Sequence, residues 1–341
     1  MMLQSRLLSD FVQFNTTDQV LILNSAADPF GTLALQRLTT GSLLIAEDNI
    51  ATLGVFKAHN AAASVRCVAF HDYILHHSPE TVHVAVMNLL YQPGNIWMFY
   101  GLSVAAFALK PGGKLYVAGA KDRGILTMAK RMQELFGNVE TLTISKGQRV
   151  LCSTRRQSFA LEQLPVTSLR IFADSKLDEG TRLLLSVLDV KPTDHALDIG
   201  CGAGFIGLHM ARLASEGQVT MVDASLAAVA ASQQAVEQEG LRGVNVLASD
   251  GAQAVLDQQF DLVATNPPFH MGGVQTLEIA ERFIREAAQI LKPKGRFYLV
   301  ANRFLKYEPT LLACFRDVQE IAGDSRYKVL YATNPLAAKP R

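Results

Sequence analysis

The stretch Asp198-Ile199-Gly200-Cys201-Gly202-Ala203-Gly204 is the clearest structural signal in this chain. It follows a short apolar run from His195 and precedes a helical pattern from Phe205, which predicts a strand, a tight glycine turn and a helix. Glycine allows positive φ angles and lets a ligand approach the backbone. Because the first N–H groups of a helix have no partner within it, the turn predicts a nucleotide-like cofactor. The residues expected around that cofactor are Asp198, Gly200, Gly202 and Gly204.

These glycines do not identify the cofactor. Gly202, Gly204 and Gly207 also have the G-x-G-x-x-G spacing of dinucleotide-binding proteins. Asp223, at the end of the next predicted strand, could accept hydrogen bonds from ribose hydroxyls in either class. Asp250 follows a third predicted strand, where it could accept from an adenine amino group or simply form a turn.

A second segment, Asn266-Pro267-Pro268-Phe269, favours one class of chemistry. It follows the predicted buried strand 260–265, and ligands of open α/β sheets bind at the carboxyl ends of strands. Two prolines remove two backbone donors and stiffen the loop, so the Asn266 amide oxygen and the Pro267 carbonyl can face one amino group. Phe269 offers a flat apolar face to a planar ring.

Together the two segments resemble class I S-adenosylmethionine-dependent methyltransferases that modify amino nitrogens, in which N-P-P-[FYW] is the target-nitrogen motif. The resemblance implies that Asn266, Pro267 and Phe269 form the catalytic site and that S-adenosylmethionine is the cofactor. A dehydrogenase would leave Asn-Pro-Pro-Phe unexplained.

Composition predicts a globular protein of two domains. The chain has 341 residues, 49% of them hydrophobic and 18% charged. Its four cysteines are scattered without a C-x-x-C pair, which fits a reducing cytoplasm. The longest apolar run, 96–109, is too short to span a bilayer, so we expect a buried helix and no membrane partner.

Positive charge is concentrated in the first half. Residues 1–160 contain 14 Lys and Arg against 10 Asp and Glu, whereas the remainder contains 18 against 21. Eight of the basic residues lie between Lys121 and Arg156. They could form an ordinary solvated surface or a surface that contacts RNA phosphates.

The first half resembles a degenerate copy of the second. The segment 109–118 parallels 291–300, and 82–88 parallels 260–266. Similar order and spacing indicate a duplication. The first copy has no glycine turn after the strand 20–23 and has Leu89-Leu90-Tyr91 where the second has Pro-Pro-Phe. We therefore expect no cofactor there.

The predicted fold is α/β, with two tandem Rossmann-like class I methyltransferase domains, the N-terminal one degenerate. Residues 1–156 are assigned to the degenerate domain, which would position substrate or serve as a scaffold, and 157–341 to the catalytic domain. Asp178 lies in an L-D-x-G-[ST] segment like one that lies near the cofactor in the resembled family. It could equally begin a helix as its N-cap.

The degenerate first half, Leu197-Asp-Ile-Gly-Cys-Gly-Ala-Gly204 and Asn266-Pro-Pro-Phe-His270 together resemble the ribosomal RNA small subunit methyltransferase C family. That resemblance implies methylation of guanine N2 in 16S ribosomal RNA by a cytoplasmic enzyme whose partner is ribosomal RNA or a ribosomal subunit. A monomer is expected. A large-subunit (23S) guanine-N2 methyltransferase and a protein-glutamine methyltransferase remain alternatives, as does a non-catalytic RNA-binding factor.

Overall fold

The computed structural model describes residues 2–61, 65–166, 176–268, 270–271, 274–275 and 277–336. The chain divides into two compact units, Met1–Leu169 and Arg170–Arg341. The boundary between 156 and 157 expected from the sequence stays a prediction.

The first unit alternates strands and helices. Its strands are β1 (Gln19–Leu23), β2 (Ser42–Glu47), β3 (Arg66–Ala69), β4 (Val82–Asn88), β5 (Leu109–Ala120), β6 (Glu140–Ser145) and β7 (Gln148–Thr154). Its helices are α1 (Leu3–Phe11), α2 (Phe30–Arg37), α3 (Ile50–His59), α4 (Tyr73–His76), α5 (Asn95–Ala108) and α6 (Ile125–Phe136). The apolar run 96–109 thus forms most of α5, which is largely buried.

The second unit repeats this alternation. Its strands are β8 (His195–Ile199), β9 (Gln218–Asp223), β10 (Val244–Ala248), β11 (Phe260–Thr265), the short β12 (His270–Met271) and β13 (Val274–Gln275), β14 (Leu291–Asn302), β15 (Phe315–Gly323) and β16 (Tyr327–Pro335). Its helices are α7 (Glu179–Leu185), α8 (Phe205–Leu213), α9 (Leu226–Gln238), α10 (Leu277–Ile290) and α11 (Glu308–Cys314).

The two large sheets have the same topology. The strand order is β3-β2-β1-β4-β5-β7-β6 in the first unit and β10-β9-β8-β11-β14-β16-β15 in the second. In each sheet the first five strands in this order are parallel and the last two pair antiparallel. The predicted pair of Rossmann-like domains is therefore confirmed.

A shared irregularity supports the duplication. The register between β4 and β5 shifts between Val82 and Val84. The register between β11 and β14 shifts at the corresponding place, between Phe260 and Leu262. An irregularity at the same place in both sheets is expected if one copy descends from the other.

Successive residues of a strand point to opposite faces of the sheet. Both faces of the second sheet therefore present side chains that pack against helices. Leu197 of β8 and Val263 of β11 pack in the layer that contains α10. Their neighbours Ala196 and Leu262 pack in the layer that contains α8. Both layers are apolar, so the polar groups of this sheet are concentrated at its ends. Within the described ranges, no helix has the length and apolar composition to cross a bilayer.

Candidate active site

The glycine turn and the Asn-Pro-Pro loop begin side by side. Strands β8 and β11 are parallel neighbours, and their last paired residues are Ile199 and Thr265. The Thr265 hydroxyl donates a buried hydrogen bond of 2.7 Å to the Ile199 carbonyl. Gly200 and Asn266 therefore leave the sheet at the same edge, as the sequence predicts.

The turn between β8 and α8 requires glycine for two reasons. The φ angles of Gly200, Gly202 and Gly204 are 75°, 54° and 85°. Residues with a side chain rarely adopt these positive φ values. A Cβ at Gly204 would also lie 2.8 Å from Met221 Cε. The sequence thus forms this turn because other residues would be both strained and crowded there.

Asp198 stabilises the glycine turn by a buried hydrogen bond. Its side chain is fully buried, and Oδ2 accepts a 2.8 Å hydrogen bond from the backbone N–H of Gly207. The other oxygen, Oδ1, has no partner among the described residues. Burial raises the pKa of this carboxyl to about 7, with a smaller contribution from the neighbouring Asp223. A buried acceptor without a donor is a place where a ligand group can bind.

Asp223, the last residue of β9, also stabilises the glycine turn by hydrogen bonds. Its Oδ2 accepts from the Gly202 N–H at 2.9 Å and its Oδ1 from the Ser225 N–H at 2.8 Å. Burial raises the pKa of Asp223 as well. A fully buried and a half-buried carboxylate near one turn favour a ligand that carries positive charge, because such a ligand stabilises both ionised forms.

Asp250 forms an ion pair. Arg282 on α10 donates to both carboxylate oxygens, and its Nη1 lies 2.8 Å from Oδ2. The adjacent backbone is held by Glu286, whose Oε2 accepts from the Ala252 N–H at 2.8 Å. The Asp250 side chain thus pairs with α10, a contact that neither of its two predicted roles describes. The adenine-binding role of Asp250 stays a prediction, since each oxygen can accept a second hydrogen bond.

The Asn266 amide is anchored at its nitrogen. Its Nδ2 donates to Thr181 Oγ1 at 2.8 Å and lies 3.3 and 3.4 Å from the two oxygens of Asp178. Within the described part of the chain no donor contacts its Oδ1. As far as the described residues go, the amide oxygen is available as an acceptor, and it is the group that the sequence assigns to the substrate amine.

Asp178 is the N-cap of α7. Its Oδ1 accepts from the Thr181 N–H at 3.0 Å, and the Thr181 hydroxyl donates to its Oδ2 at 2.5 Å. The helix-start alternative is thus observed, together with the contact to Asn266. A direct contact of Asp178 with the cofactor stays a prediction.

A cavity of about 340 Å³ opens beside Asn266. Pro267 and Pro268 form part of its wall, and Tyr307 and Tyr327 are aromatic residues in its lining. The other lining residues are Asp178, Val300, Ala301, Asn302 and Leu305. Its size and its mixed apolar and polar lining suit a planar heterocycle. Phe269, predicted to stack on that heterocycle, lies outside the described residues.

Three residues of this region were missed in the sequence analysis: Thr181, Arg282 and Glu286. Thr181 belongs to the L-D-x-G-[ST] segment, so its position was a usable signal. Arg282 and Glu286 lie four residues apart on α10, which predicts only that they share a helix face. Their contacts with Asp250 and Ala252 connect residues far apart in the sequence, and no local pattern gives them.

The corresponding edge of the first sheet is filled by protein side chains. Gln92 Nε2 donates to the carbonyls of Asn24 at 2.8 Å and of Leu23 at 3.3 Å, just beyond β1. Asp28 is buried and accepts from Ser5 Oγ at 3.0 Å and from Asn88 Nδ2 at 2.6 Å. These contacts occupy the region that corresponds to the glycine turn of the second unit.

Comparison with known proteins identifies relatives over most of the chain. Residues 165–331 match the family model described as "Methyltransferase small domain". A protein of Shewanella pealeana named "Ribosomal RNA small subunit methyltransferase C" is 33% identical over 248 residues, which are 67% of this chain and 72% of the relative. A protein of the same name from Shewanella loihica is 29% identical over 335 residues, 93% of this chain and 95% of the relative.

A solved structure is similar over both units. It is described as "T. Thermophilus 16S rRNA N2 G1207 methyltransferase (RsmC) in complex with AdoMet and Guanosine". It is 28% identical in sequence, has a TM-score of 0.83, and the match covers 97% of this chain and 91% of that one.

Proposed function

This chain belongs to the ribosomal RNA small subunit methyltransferase C family, and from that premise we propose how its residues carry out the reaction. The enzyme transfers a methyl group from S-adenosylmethionine to the exocyclic N2 of a guanine in 16S ribosomal RNA. The observation that carries the assignment of residues is the amide oxygen of Asn266, which no donor of the described residues contacts and which lies at the same sheet edge as the glycine turn.

The residues of the glycine turn fit S-adenosylmethionine. Asp198 Oδ1, which has no partner among the described residues, and the half-buried carboxylate of Asp223 suit its positively charged groups and its ribose. Gly200, Gly202 and Gly204 would let it approach the backbone. Asp250 would accept from its adenine, and Asp178 would lie near it. The cofactor supplies an activated methyl group, so the protein needs no nucleophile of its own.

The work of the protein is then alignment of the guanine amine. Asn266 Oδ1 and the Pro267 carbonyl would each accept one N–H of that amine, which orients the nitrogen lone pair. The same two acceptors stabilise the positive charge that develops on the nitrogen during transfer. Phe269 would stack on the guanine once it is turned out of its helix or loop.

The first unit would position the RNA. Among its basic residues, Lys121 and Lys146 are exposed and available to phosphates, and Lys130 is exposed but lies 3.8 Å from Glu134. Arg155 is not, because it is 1% exposed and pairs with Glu80 at 2.9 Å. The division into a degenerate domain 1–156 and a catalytic domain 157–341, the monomeric state and the cytoplasmic location remain predictions.

The function is tested with radiolabelled S-adenosylmethionine and four acceptors: naked 16S RNA, assembled 30S subunits, 50S subunits and a release factor. We expect label in 16S RNA, recovered as N2-methylguanosine after nuclease digestion and mass spectrometry. Label in 50S subunits or release factor alone would contradict the proposed substrate. The Asn266→Ala variant serves as the inactive control.

A further inference from the structure

We propose that Pro268 and Thr181 act together as positioning residues that keep the Asn266 oxygen free for the substrate. Because Pro268 has no backbone N–H, it cannot donate the hydrogen bond that another residue there would donate to Asn266 Oδ1. Thr181 accepts from Asn266 Nδ2, so the side-chain amide cannot flip. This inference rests on the proposed function, since it concerns the oxygen that accepts from the guanine amine.

The first copy of the sheet shows what happens without the prolines. Asn88 is the last residue of β4, and Asn266 directly follows β11. Because the register shifts at the same place in both sheets, the two asparagines occupy equivalent positions. Asn88 Oδ1 accepts a 3.0 Å hydrogen bond from the backbone N–H of Leu90. An asparagine oxygen that accepts from the N–H two residues later is a common local arrangement, and here it consumes the acceptor.

Pro268 corresponds to Leu90. Because proline has no backbone N–H, this local hydrogen bond cannot form in the second copy. Pro267 lacks an N–H as well, so neither of the two residues after Asn266 can satisfy Oδ1. The prolines thus do more than stiffen the loop: they remove both of the backbone donors that directly follow Asn266.

The nitrogen end of each amide is held by a comparable group. In the first copy Asn88 Nδ2 donates to Asp28 at 2.6 Å. In the second copy Asn266 Nδ2 donates to Thr181 at 2.8 Å, with Asp178 at 3.3 and 3.4 Å. The Thr181 hydroxyl is itself directed, because it donates to Asp178 and so presents a lone pair to the amide nitrogen. Both copies therefore anchor the nitrogen, and among the described residues only the copy with prolines leaves the oxygen without a donor.

The first test restores the missing N–H. In Pro268→Ala the alanine N–H can bond Asn266 Oδ1, and the guanine amine must displace it. We expect kcat to fall about three- to tenfold, with little change in KM for 16S RNA or in Kd for S-adenosylmethionine. A crystal structure of the variant should show the N–H of residue 268 within hydrogen-bond distance of Asn266 Oδ1.

A matched control separates the N–H from the stiffness of the ring. N-methylalanine at position 268, introduced by nonsense suppression, has a methyl group in place of the N–H and keeps the Pro267 carbonyl as an amide carbonyl. It lacks the proline ring but cannot donate, so we expect it to recover most of the kcat lost in Pro268→Ala. Equal loss in both variants would attribute the effect to stiffness and overturn the role of the missing donor.

The second test removes the hydrogen-bond acceptor of Asn266 Nδ2. Thr181→Val keeps the shape of the side chain but removes the acceptor, and we expect kcat to fall about tenfold. Thr181→Ser keeps the hydroxyl and should restore kcat. If Thr181→Val and Pro268→Ala both turn over at the wild-type rate while wild type still methylates guanine N2, this inference fails and the proposed function stands. If wild type leaves guanine N2 unmodified, the proposed function itself fails.

Discussion

Glu47 and Asp223 occupy equivalent positions at the ends of β2 and β9, and they hold their turns in the same way. Each carboxylate accepts from a backbone N–H of the turn after the first strand: Ala26 at 2.9 Å for Glu47 and Gly202 at 2.9 Å for Asp223. Each also accepts from the residue that caps the next helix, Asn49 or Ser225. An acidic residue at this position is therefore needed to build the turn, whether or not a ligand binds.

The copies differ in the parts that a ligand would contact. The first has Asp28 and Gln92 where the second has an open glycine turn, and Leu90 where the second has Pro268. Loss of glycine lets side chains fill the turn, and loss of proline lets the backbone satisfy the asparagine. The two copies thus share a sheet and differ at a few loop positions, and we therefore expect the first copy not to bind the cofactor.

The largest effect is expected from the two asparagines. Asn266→Ala removes an acceptor that stabilises the charge on the reacting nitrogen, so kcat should fall about 10²- to 10³-fold while cofactor affinity is nearly unchanged. Asn88→Ala should leave kcat near wild type and instead lower the free energy of unfolding by about 1–3 kcal/mol, because the buried Asp28 loses a donor. Single-turnover methylation and denaturant unfolding measure the two. Equal loss of activity in both variants would mean that the copies are not functionally distinct.

The next effect concerns the two turn carboxylates. Asp223→Ala removes both the hold on Gly202 and the proposed contact with ribose, and we expect the Kd for S-adenosylmethionine to rise at least about tenfold. Glu47→Gln should leave this Kd unchanged. Isothermal titration calorimetry gives both values. A comparable weakening in Glu47→Gln would indicate a cofactor contact in the first copy.

A smaller effect is expected in the pH dependence of stability. Burial raises the pKa of Asp198 and of Glu47 to about 7 each, above the ordinary range of these groups. The folded protein then retains protons that the unfolded chain has released, so the free energy of unfolding should fall as pH rises toward and through about 7. Asp198→Asn and Glu47→Gln should each reduce this fall, measured by denaturant unfolding at pH 5 and pH 8.

Cofactor binding should separate these two carboxyls. A positively charged cofactor favours ionised Asp198, so its affinity should rise as pH increases through about 7, and Asp198→Asn should flatten the rise. Glu47→Gln should leave the profile unchanged. Calorimetric titration at several pH values provides the test, and a wild-type profile that falls with pH would contradict a role for Asp198 near the cofactor.

The smallest effect distinguishes two roles of Asp250. If it accepts from the adenine amino group, Asp250→Asn should weaken S-adenosylmethionine by a few-fold and leave an analogue without that amino group unaffected. If it serves only to bind Arg282, both ligands should weaken alike. Competition binding with the two ligands measures the difference.

The strands and loops that form the site could be predicted from local sequence. Strand periodicity, glycine and proline each determine the backbone conformation of the residues around them. The predicted strand 260–265 coincides with β11, and the glycine turn and the Asn-Pro-Pro loop lie at one sheet edge as expected. The correspondence of Glu47 with Asp223 could also have been found by extending the repeat. The anchoring of Asn266 by Thr181 could not, because it joins residues 85 positions apart through side chains that only the folded sheet brings together.

The most direct measurement is a crystal structure of this chain with S-adenosylhomocysteine and guanosine. We predict one cofactor per chain, bound against the turn 200–204, and the guanine N2 within hydrogen-bond distance of Asn266 Oδ1. Cofactor density at the corresponding edge of the first sheet, or a guanine whose N2 points away from Asn266, would contradict the assignment of the chemistry to the second copy.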